Sequence, residues 1–298
     1  MAQDLPGHIR RAFRSIERFV PVTDLIVELL DARMPRSSQL HGLVKRLGKA
    51  SLIILGKCDL ANPAETRRWV EFFSRDGQHC IPLDARDPSS VKAVRERVRR
   101  VATEAGIRAT PGMTRTMRRL MVIGIPNVGK STLINAIAGR RATKVANLPG
   151  VTRHIQWVKL PGNLELLDLP GVLDFGLLRR GEILRLINTL PGPNEDPIGA
   201  ARVLVDMLIA ISHADMLPGW KESGEVWSAF LPHYASDRHF LGRGGEPDER
   251  RAAIDLLKRF QDASFGRLTL EKYDDPPSIR TVIEDSNFHG ESNIGLVE

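Results

Sequence analysis

Short apolar runs alternate along the chain with longer segments in which apolar residues recur at helical spacing. The runs predict strands at residues 24–30, 51–55, 79–83, 120–125, 154–160 and 164–168. The segments around them predict helices at residues 8–20, 39–47, 65–74 and from Ser89 or Ser90, as the cap, to about residue 105. Strands that alternate with helices are typical of a parallel sheet, so the chain is predicted to begin with an α/β domain.

The alternation ends at about residue 175, and the pattern is then helical until about residue 273. This change predicts an α/β domain over residues 1–174 and a small all-α domain over residues 175–273. Residues 274–298 carry six acidic side chains against Arg280 alone, and they are predicted to form a disordered acidic tail.

The formal net charge of +7 is distributed unevenly. The tail carries a net charge of −5, which leaves +12 on residues 1–273. Because residues 1–273 are so basic, they are expected to bind a polyanion. RNA is favoured over lipid because no strongly apolar amphipathic helix accompanies the charge. The alternative is that these basic side chains are merely solvated.

The apolar runs are all shorter than the roughly 20 residues needed to span a bilayer, and the N-terminal sequence lacks the apolar core of a signal peptide. We therefore expect no membrane association and a cytoplasmic location. The arginine-rich start leaves an organellar matrix as the alternative. Two cysteines, Cys58 and Cys80, are too few for a disulfide framework or a zinc quartet, and they are interpreted as small buried residues.

The stretch GIPNVGKST, from Gly124 to Thr132, fits the phosphate-loop template of a glycine, four residues and Gly-Lys-Ser. It lies between a predicted strand and a predicted helix, which is the context that this motif requires. Backbone N–H groups and the helix N-terminus would hold phosphate oxygens, Lys130 would bind the β- and γ-phosphates, and the Ser131 hydroxyl would bind Mg²⁺. The predicted nucleotide-binding residues here are Asn127, Val128, Gly129, Lys130, Ser131 and Thr132.

Further motifs indicate GTP rather than another nucleotide. Asp168 ends a strand and suits a ligand of Mg²⁺ or its water, Gly171 suits the γ-phosphate, and Thr152 suits a second hydroxyl ligand of Mg²⁺. On the base side, the stretch Lys57-Cys58-Asp59 provides a carboxylate that can accept from the ring N–H and the exocyclic amine of guanine, which adenine cannot match. The stretch Asp84-Ala85-Arg86 stands where such proteins use a Ser-Ala-Lys-like turn.

Both base motifs precede the phosphate loop, whereas in ordinary small GTPases they follow it. With Asp31-Ala32-Arg33 and the start Pro6-Gly7-His8, this order resembles the circularly permuted GTPases of the YlqF type, the ribosome biogenesis GTPase A family. The resemblance covers residues from about 5 to 271. It implies a permuted P-loop GTPase domain followed by a helical RNA-binding domain, with the large ribosomal subunit and its rRNA as partners.

The helix that starts near Pro247 has two distinct arcs. Its apolar residues, Ala253, Leu256, Leu257 and Phe260, are expected to pack in the core. A basic arc holds Arg251, Lys258 and Arg259, for which the resemblance implies contact with RNA phosphates. The alternative for this arc is an ordinary solvated face.

The sequence departs from the family at Gly56, where an Asn-Lys-x-Asp motif would have asparagine. Loss of that amide is expected to weaken nucleotide affinity roughly tenfold while Asp59 preserves the preference for guanine. Val172 follows the Asp-x-x-Gly motif where Ras-like proteins have glutamine, and it cannot orient water by hydrogen bonding. Hydrolysis without a partner is therefore expected to be slow.

The resemblance offers two sources of acceleration. Asn127 resembles an asparagine that helps to hold K⁺, and the alternative is that it only stabilises the loop. His8 resembles a histidine proposed to act on the attacking water, and the alternative is a cap or surface residue. His8, Lys130, Thr152 and Gly171 are the predicted catalytic residues, whereas Asp31 and Arg33 are interpreted as structural.

The motifs predict a GTPase that requires Mg²⁺, and the chain is expected to be monomeric. The resemblance implies that it also uses K⁺, binds a maturing large ribosomal subunit and is released when GTP is hydrolysed. The alternative is a ribosome- or RNA-binding protein whose altered base site leaves it catalytically idle. Gly56 favours the alternative, whereas the set of Lys130, Ser131, Thr152 and Asp168 favours the enzyme.

Overall fold

A computed structural model describes residues 16–40, 43–75, 77–109, 117–139, 156–169, 181–189 and 196–273. Its centre is a six-stranded sheet in the order β3-β2-β1-β4-β6-β5. The strands are β1 (Leu25–Asp31), β2 (Ala50–Gly56), β3 (His79–Leu83), β4 (Arg118–Ile123), β5 (Gln156–Leu160) and β6 (Leu164–Asp168). All neighbouring strands are parallel except β5 and β6, which form an antiparallel hairpin at one edge.

Helices connect these strands and then continue without further strands in the described part of the chain. They are α1 (Leu43–Leu47), α2 (Pro63–Arg75), α3 (Pro88–Ala109), α4 (Lys130–Ala138), α5 (Gly181–Leu186), α6 (Pro197–Ala210), α7 (Trp227–Asp237) and α8 (Glu249–Gln261). Short 3₁₀ helices lie at Val20–Val22 and Ala214–Met216. The predicted α/β class is thus confirmed, with a mostly parallel sheet flanked by helices.

The sheet is buried because helices cover both of its faces. Every residue of β1 is buried, as expected for a central strand of a parallel sheet. On one face, the core extends from the sheet through α3 and α4 into the helical region. On the other face, α2 places Trp69 and Phe73 against apolar residues of β1, β2 and β3.

Two helices begin differently from the sequence prediction. The side-chain carboxylate of Asp87 accepts hydrogen bonds from the backbone N–H groups of Ser89 and Ser90, so Asp87 caps α3 and the serines do not. The amide oxygen of Asn62 caps α2 in the same way. α3 also continues to Ala109, beyond the predicted end at about residue 105.

The helical region packs around α8. The predicted apolar arc is confirmed, because Ala253, Leu256, Leu257 and Phe260 are buried. These residues belong to the same core as α6 and α7, and α8 has its most extensive contacts with those two helices. No helix of the described residues is both long and apolar enough to cross a membrane.

After α8 the chain returns to the α/β part through residues 267–273, which we call the return segment. The backbone N–H groups of Leu268 and Leu270 donate to the carbonyl oxygens of Leu60 and Arg33, over 3.3 and 2.9 Å. The carboxylate of Glu271 accepts from the backbone N–H and hydroxyl groups of Ser37.

Aromatic residues of α2 complete the docking of the return segment. The indole N–H of Trp69 donates to the carbonyl oxygen of Glu271 over 2.8 Å. The ring of Tyr273 lies 6.4 Å from that of Phe72, between centroids. The return segment therefore packs against the smaller core, which α2 forms with β1, β2 and β3.

Candidate nucleotide site

The phosphate loop follows β4 directly and passes close to β1. A Cβ atom at Gly124 would lie 2.7 Å from the carbonyl oxygen of Leu29, so only glycine fits this approach. Gly129 has φ of +109° and precedes the first residue of α4. The loop therefore brings the N-terminus of α4, whose backbone N–H groups suit an anion, to the carboxyl edge of the sheet.

Lys130 is buried at the start of α4. Its ammonium donates to the carbonyl oxygens of Gly124 and Ile125 over 3.1 and 2.9 Å. Burial lowers its pKa to about 8, while the carboxylate of Asp168 favours the charged form. Phosphate oxygens can replace the two carbonyl groups as acceptors, and their negative charge would favour the ammonium further.

Asp168 lies beside the phosphate loop at the end of β6. It pairs in register with Val122 of β4, and only 1% of its surface is exposed. Ser131 is in the first turn of α4. One carboxylate and one hydroxyl suit Mg²⁺, which takes few protein ligands and completes its shell with phosphate and water. Among the residues that the structure describes, no three His, Cys, Asp or Glu side chains could hold a metal by themselves.

The base loop, residues 57–62, is joined to the phosphate loop by Lys57. The Lys57 ammonium donates to the backbone carbonyl of Asn127 over 3.1 Å and to the carboxylate of Asp31 over 3.0 Å. Lys57 has φ of +57°, an uncommon value for a residue with a side chain. Three loops at the ends of β1, β2 and β4 thus meet at this ammonium.

Asp31 and Arg33 form a buried ion pair. The guanidinium of Arg33 donates to both carboxylate oxygens of Asp31, over 2.9 and 2.8 Å. Burial alone would raise the pKa of Asp31, but Arg33 and Lys57 hold that pKa well below its usual range. Arg33 also donates to the carbonyl oxygen of Gln261 over 3.1 Å, so the pair contacts α8 as well. These contacts support the structural interpretation of both residues.

The two base motifs lie together. The guanidinium of Arg86 forms an ion pair with the carboxylate of Asp59. The Asp84 side chain accepts from the backbone N–H of Arg86 over 2.8 Å, and the hydroxyl of Ser90 accepts from the backbone N–H of Asp84 over 3.0 Å. Asp84 thus shapes its turn as a serine would. The carboxylate of Asp59 would exchange Arg86 for the donors of a guanine base.

Gly56 ends β2 beneath this site. A Cβ atom there would lie 3.0 Å from a terminal methyl group of Leu29 and 3.5 Å from the carbonyl oxygen of Leu30. The side chain of Leu29 therefore packs tightly against Gly56, and a side chain at position 56 would require Leu29 to shift by a few tenths of an ångström. The sequence shows the loss of the amide, and the structure shows that Leu29 packs against the glycine in its place.

Two further predicted sites are only partly described. The side-chain amide of Asn127 donates to the carbonyl oxygen of Asn188 over 2.9 Å, which joins the phosphate loop to the helical region. In the basic arc, Arg251 and Lys258 are exposed, whereas Arg259 is half-buried with its guanidinium 5.2 Å from the ring centroid of Phe265. His8, Thr152, Gly171 and Val172 lie outside the described residues.

The return segment contributes residues that sequence reasoning missed. The guanidinium of Arg267 donates to the carbonyl oxygen of Cys58 over 3.0 Å, and the hydroxyl of Thr269 accepts from the backbone N–H of Asn62 over 3.1 Å. Arg267 follows Cys58 by 209 positions. No motif or spacing in the sequence connects the two.

Known proteins resemble this chain over most of its length. A family model described as a 50S ribosome-binding GTPase matches residues 119–202. The ribosome biogenesis GTPase A of Thermotoga maritima is 30% identical over 272 residues, which cover 91% of this chain and 94% of that protein. The chain belongs to the ribosome biogenesis GTPase A family.

Another relative and two solved structures agree with this assignment. The ribosome biogenesis GTPase A of Bacillus licheniformis is 34% identical over 293 residues, which cover 92% of this chain and 99% of that protein. The GDP-bound structure of T. maritima YlqF matches with a TM-score of 0.64 at 25% identity, and it covers 88% of this chain and 100% of that one. The GNP-bound YlqF structure matches with a TM-score of 0.60 at 26% identity, with coverage of 89% and 100%. As a ribosome biogenesis GTPase A homologue, this chain is a P-loop GTPase that binds guanine nucleotides.

Proposed function

We propose that this GTPase binds a maturing large ribosomal subunit, contacts its rRNA and is released when GTP is hydrolysed. The names of the relatives support a role in ribosome assembly. One observation carries the proposal: Lys57 joins the base loop to the phosphate loop, which places Asp59 and Lys130 at the same sheet edge. This is the arrangement that one bound nucleotide would span.

In the proposed reaction, Lys130 neutralises charge on the β- and γ-phosphates while Ser131 and Asp168 hold Mg²⁺ directly or through water. The metal ion supplies charge neutralisation at the transferred phosphoryl group. Asp59 selects guanine. Thr152, Gly171 and His8 are proposed to complete the site at the γ-phosphate and the attacking water, as the family resemblance implies.

K⁺ is proposed as a further cofactor at Asn127. An amide ligates a cation through its oxygen, and the hydrogen bond from the Asn127 nitrogen to Asn188 fixes the orientation of the amide. Arg251, Lys258 and Arg259 are proposed to contact rRNA phosphates. The aromatic contact of Arg259 keeps its guanidinium partly buried, so Arg251 and Lys258 are the better exposed members.

The second candidate is a ribosome-binding protein with an idle nucleotide site. Gly56 favours it, because the amide expected at this position is missing and Leu29 packs tightly against the glycine. The ion pair between Arg86 and Asp59 also opposes binding of a base, since Arg86 must leave the carboxylate first.

The deciding experiment measures GTP turnover with and without purified large ribosomal subunits, in K⁺ buffer and again in Na⁺ buffer. We expect slow turnover alone, at least about tenfold stimulation by subunits, and weaker stimulation in Na⁺. Lys130→Ala should abolish turnover, whereas Lys159→Ala, an exposed lysine on β5, should not alter it. Retained subunit binding without turnover in any buffer would establish the second candidate instead.

A further inference from the structure

The base loop depends on the return segment on both sides of Asp59. Arg267 donates to the carbonyl oxygen of Cys58 over 3.0 Å, and the backbone N–H of Leu268 donates to the carbonyl oxygen of Leu60 over 3.3 Å. Cys58 and Leu60 are the two neighbours of Asp59 in the chain. The position of the Asp59 backbone is therefore set by residues that follow the helical region.

The base loop needs such support because its own backbone is strained and one of its usual contacts is missing. Lys57 has a positive φ, which costs on the order of 1 kcal/mol for a residue with a side chain. Gly56 provides no amide to bridge the loop to the phosphate loop. On the other side, the backbone N–H of Cys58 donates to the carbonyl oxygen of Leu83 over 3.3 Å, a long hydrogen bond.

The charges that act on the Cys58 thiol also place Arg267 near the base loop. Burial, followed by the carboxylates of Asp59 and Asp84, raises the pKa of the Cys58 thiol to about 11, and Arg267 acts in the opposite direction. Arg267 and the two carboxylates of the base site therefore all lie close enough to the Cys58 thiol to affect its charge. The Arg267 side chain is exposed, so it contributes little to the packing of the core.

We infer that Arg267 is a positioning residue for guanine recognition: through the carbonyl group of Cys58 it holds Asp59 where the carboxylate can accept from both the ring N–H and the amine of guanine. Docking of the return segment then sets the affinity for guanine nucleotides. The inference rests on the proposed function, since it assumes that GTP occupies the site.

The test compares GTP with ITP, whose base keeps the ring N–H and lacks the exocyclic amine. Both nucleotides, and ATP, displace a fluorescent GTP analogue from wild type, Arg267→Ala, Arg267→Lys and Arg243→Ala. Arg243 is the matched control, because it is an exposed arginine on the turn before α8. Single-turnover hydrolysis and the thermal midpoint are measured on the same samples.

A misplaced carboxylate should cost GTP more than ITP. For Arg267→Ala we expect about a tenfold loss of GTP affinity but only about a twofold to threefold loss for ITP, because the contact with the amine is lost most completely. The single-turnover rate of bound GTP should stay unchanged, and Arg267→Lys should recover most of the selectivity. The Arg243→Ala protein should behave as wild type.

Equal fold-losses of affinity for GTP and ITP in Arg267→Ala, which leave the ratio of the two affinities unchanged, would overturn the inference. So would a similar change of that ratio in Arg243→Ala. If wild type fails to distinguish GTP from ATP, the proposed function is what fails. If the alanine variant does not fold, Arg267→Lys provides the test. A lysine variant that has the thermal midpoint of wild type but does not keep the wild-type ratio of GTP to ITP affinity would contradict the geometry.

Discussion

At the scale of single residues, Gly56 and Leu29 are packed closely together. The methyl group of Leu29 lies 3.0 Å from where a Cβ of residue 56 would be, and Leu29 is itself buried in the main core. The glycine is therefore part of a packed arrangement, and an asparagine at position 56 would require Leu29 to shift.

We predict that Gly56→Asn lowers the free energy of unfolding by about 1–3 kcal/mol, because the new side chain overpacks against Leu29. Adding Leu29→Val should recover part of that loss, since valine is shorter. Denaturant unfolding of both single variants and the double variant measures the coupling. Gly48→Asn is the control, because Gly48 has φ of +62° and no atom within 4 Å of its Cβ position, and asparagine tolerates that φ. Strictly additive effects at positions 29 and 56 would contradict the prediction.

At the scale of elements, the alternation of apolar runs predicted the sheet well. The strands His79–Leu83 and Leu164–Asp168 have the predicted bounds, because turn residues adjoin each end. The start of α3 was less predictable: Asp87, Ser89 and Ser90 are all good capping residues, and only the backbone geometry decides which one accepts the helix N–H groups.

The return segment could not be predicted from the sequence. It has no regular secondary structure, so periodicity gives no signal for it. Its hydrogen bonds join residues more than 200 positions apart, such as Trp69 with Glu271 at a separation of 202. The motifs of the nucleotide site, by contrast, are each contiguous in the sequence, which is why residues 57–59 and 124–132 could be recognised directly.

We predict that Thr269→Val weakens the docking of the return segment. The buried hydroxyl accepts from the backbone N–H of Asn62 and donates to the carbonyl oxygen of Ala32, and valine fills the same volume without either bond. The free energy of unfolding should fall by about 1–3 kcal/mol. Thr103→Val, on the exposed face of α3, should change it by less than about 0.5 kcal/mol. A loss of equal size in both variants, measured by urea unfolding, would show that the contacts of Thr269 are unimportant.

At the scale of the whole molecule, the helical region is connected to the α/β part at several places. Arg33 contacts Gln261, Asn127 contacts Asn188, and the return segment lies along the base loop and α2. The predicted boundary at residue 273 between helical region and tail therefore encloses a segment that packs on the other domain. Domains that are divided by sequence pattern follow the secondary structure. The pattern does not detect an irregular segment, such as the return segment, that packs on the preceding domain.

We predict that removing the tail and removing the return segment affect the thermal midpoint differently. A chain that ends at Tyr273 should keep its thermal midpoint within about 2 °C, as expected if residues 274–298 are disordered. A chain that ends at Gly266 should unfold at a midpoint lower by more than about 5 °C, because it loses the cover of Trp69 and the hydrogen bonds to Leu60, Arg33 and Ser37. Calorimetry of the two chains beside the full chain decides the matter. Equal midpoints for all three would mean that the return segment adds nothing to stability.

The hydrogen bond between residues 58 and 267 has a consequence for the synthesis of the protein if Arg267 positions the base loop as inferred. A chain grows from its N-terminus, so the base loop and the phosphate loop emerge from the ribosome long before Arg267 does. Until then the loop that recognises guanine lacks the contacts of residues 267–269 that hold it in place. With the role inferred for Arg267, a nascent chain would acquire tight binding of guanine nucleotides only after residues 267–269 have been translated.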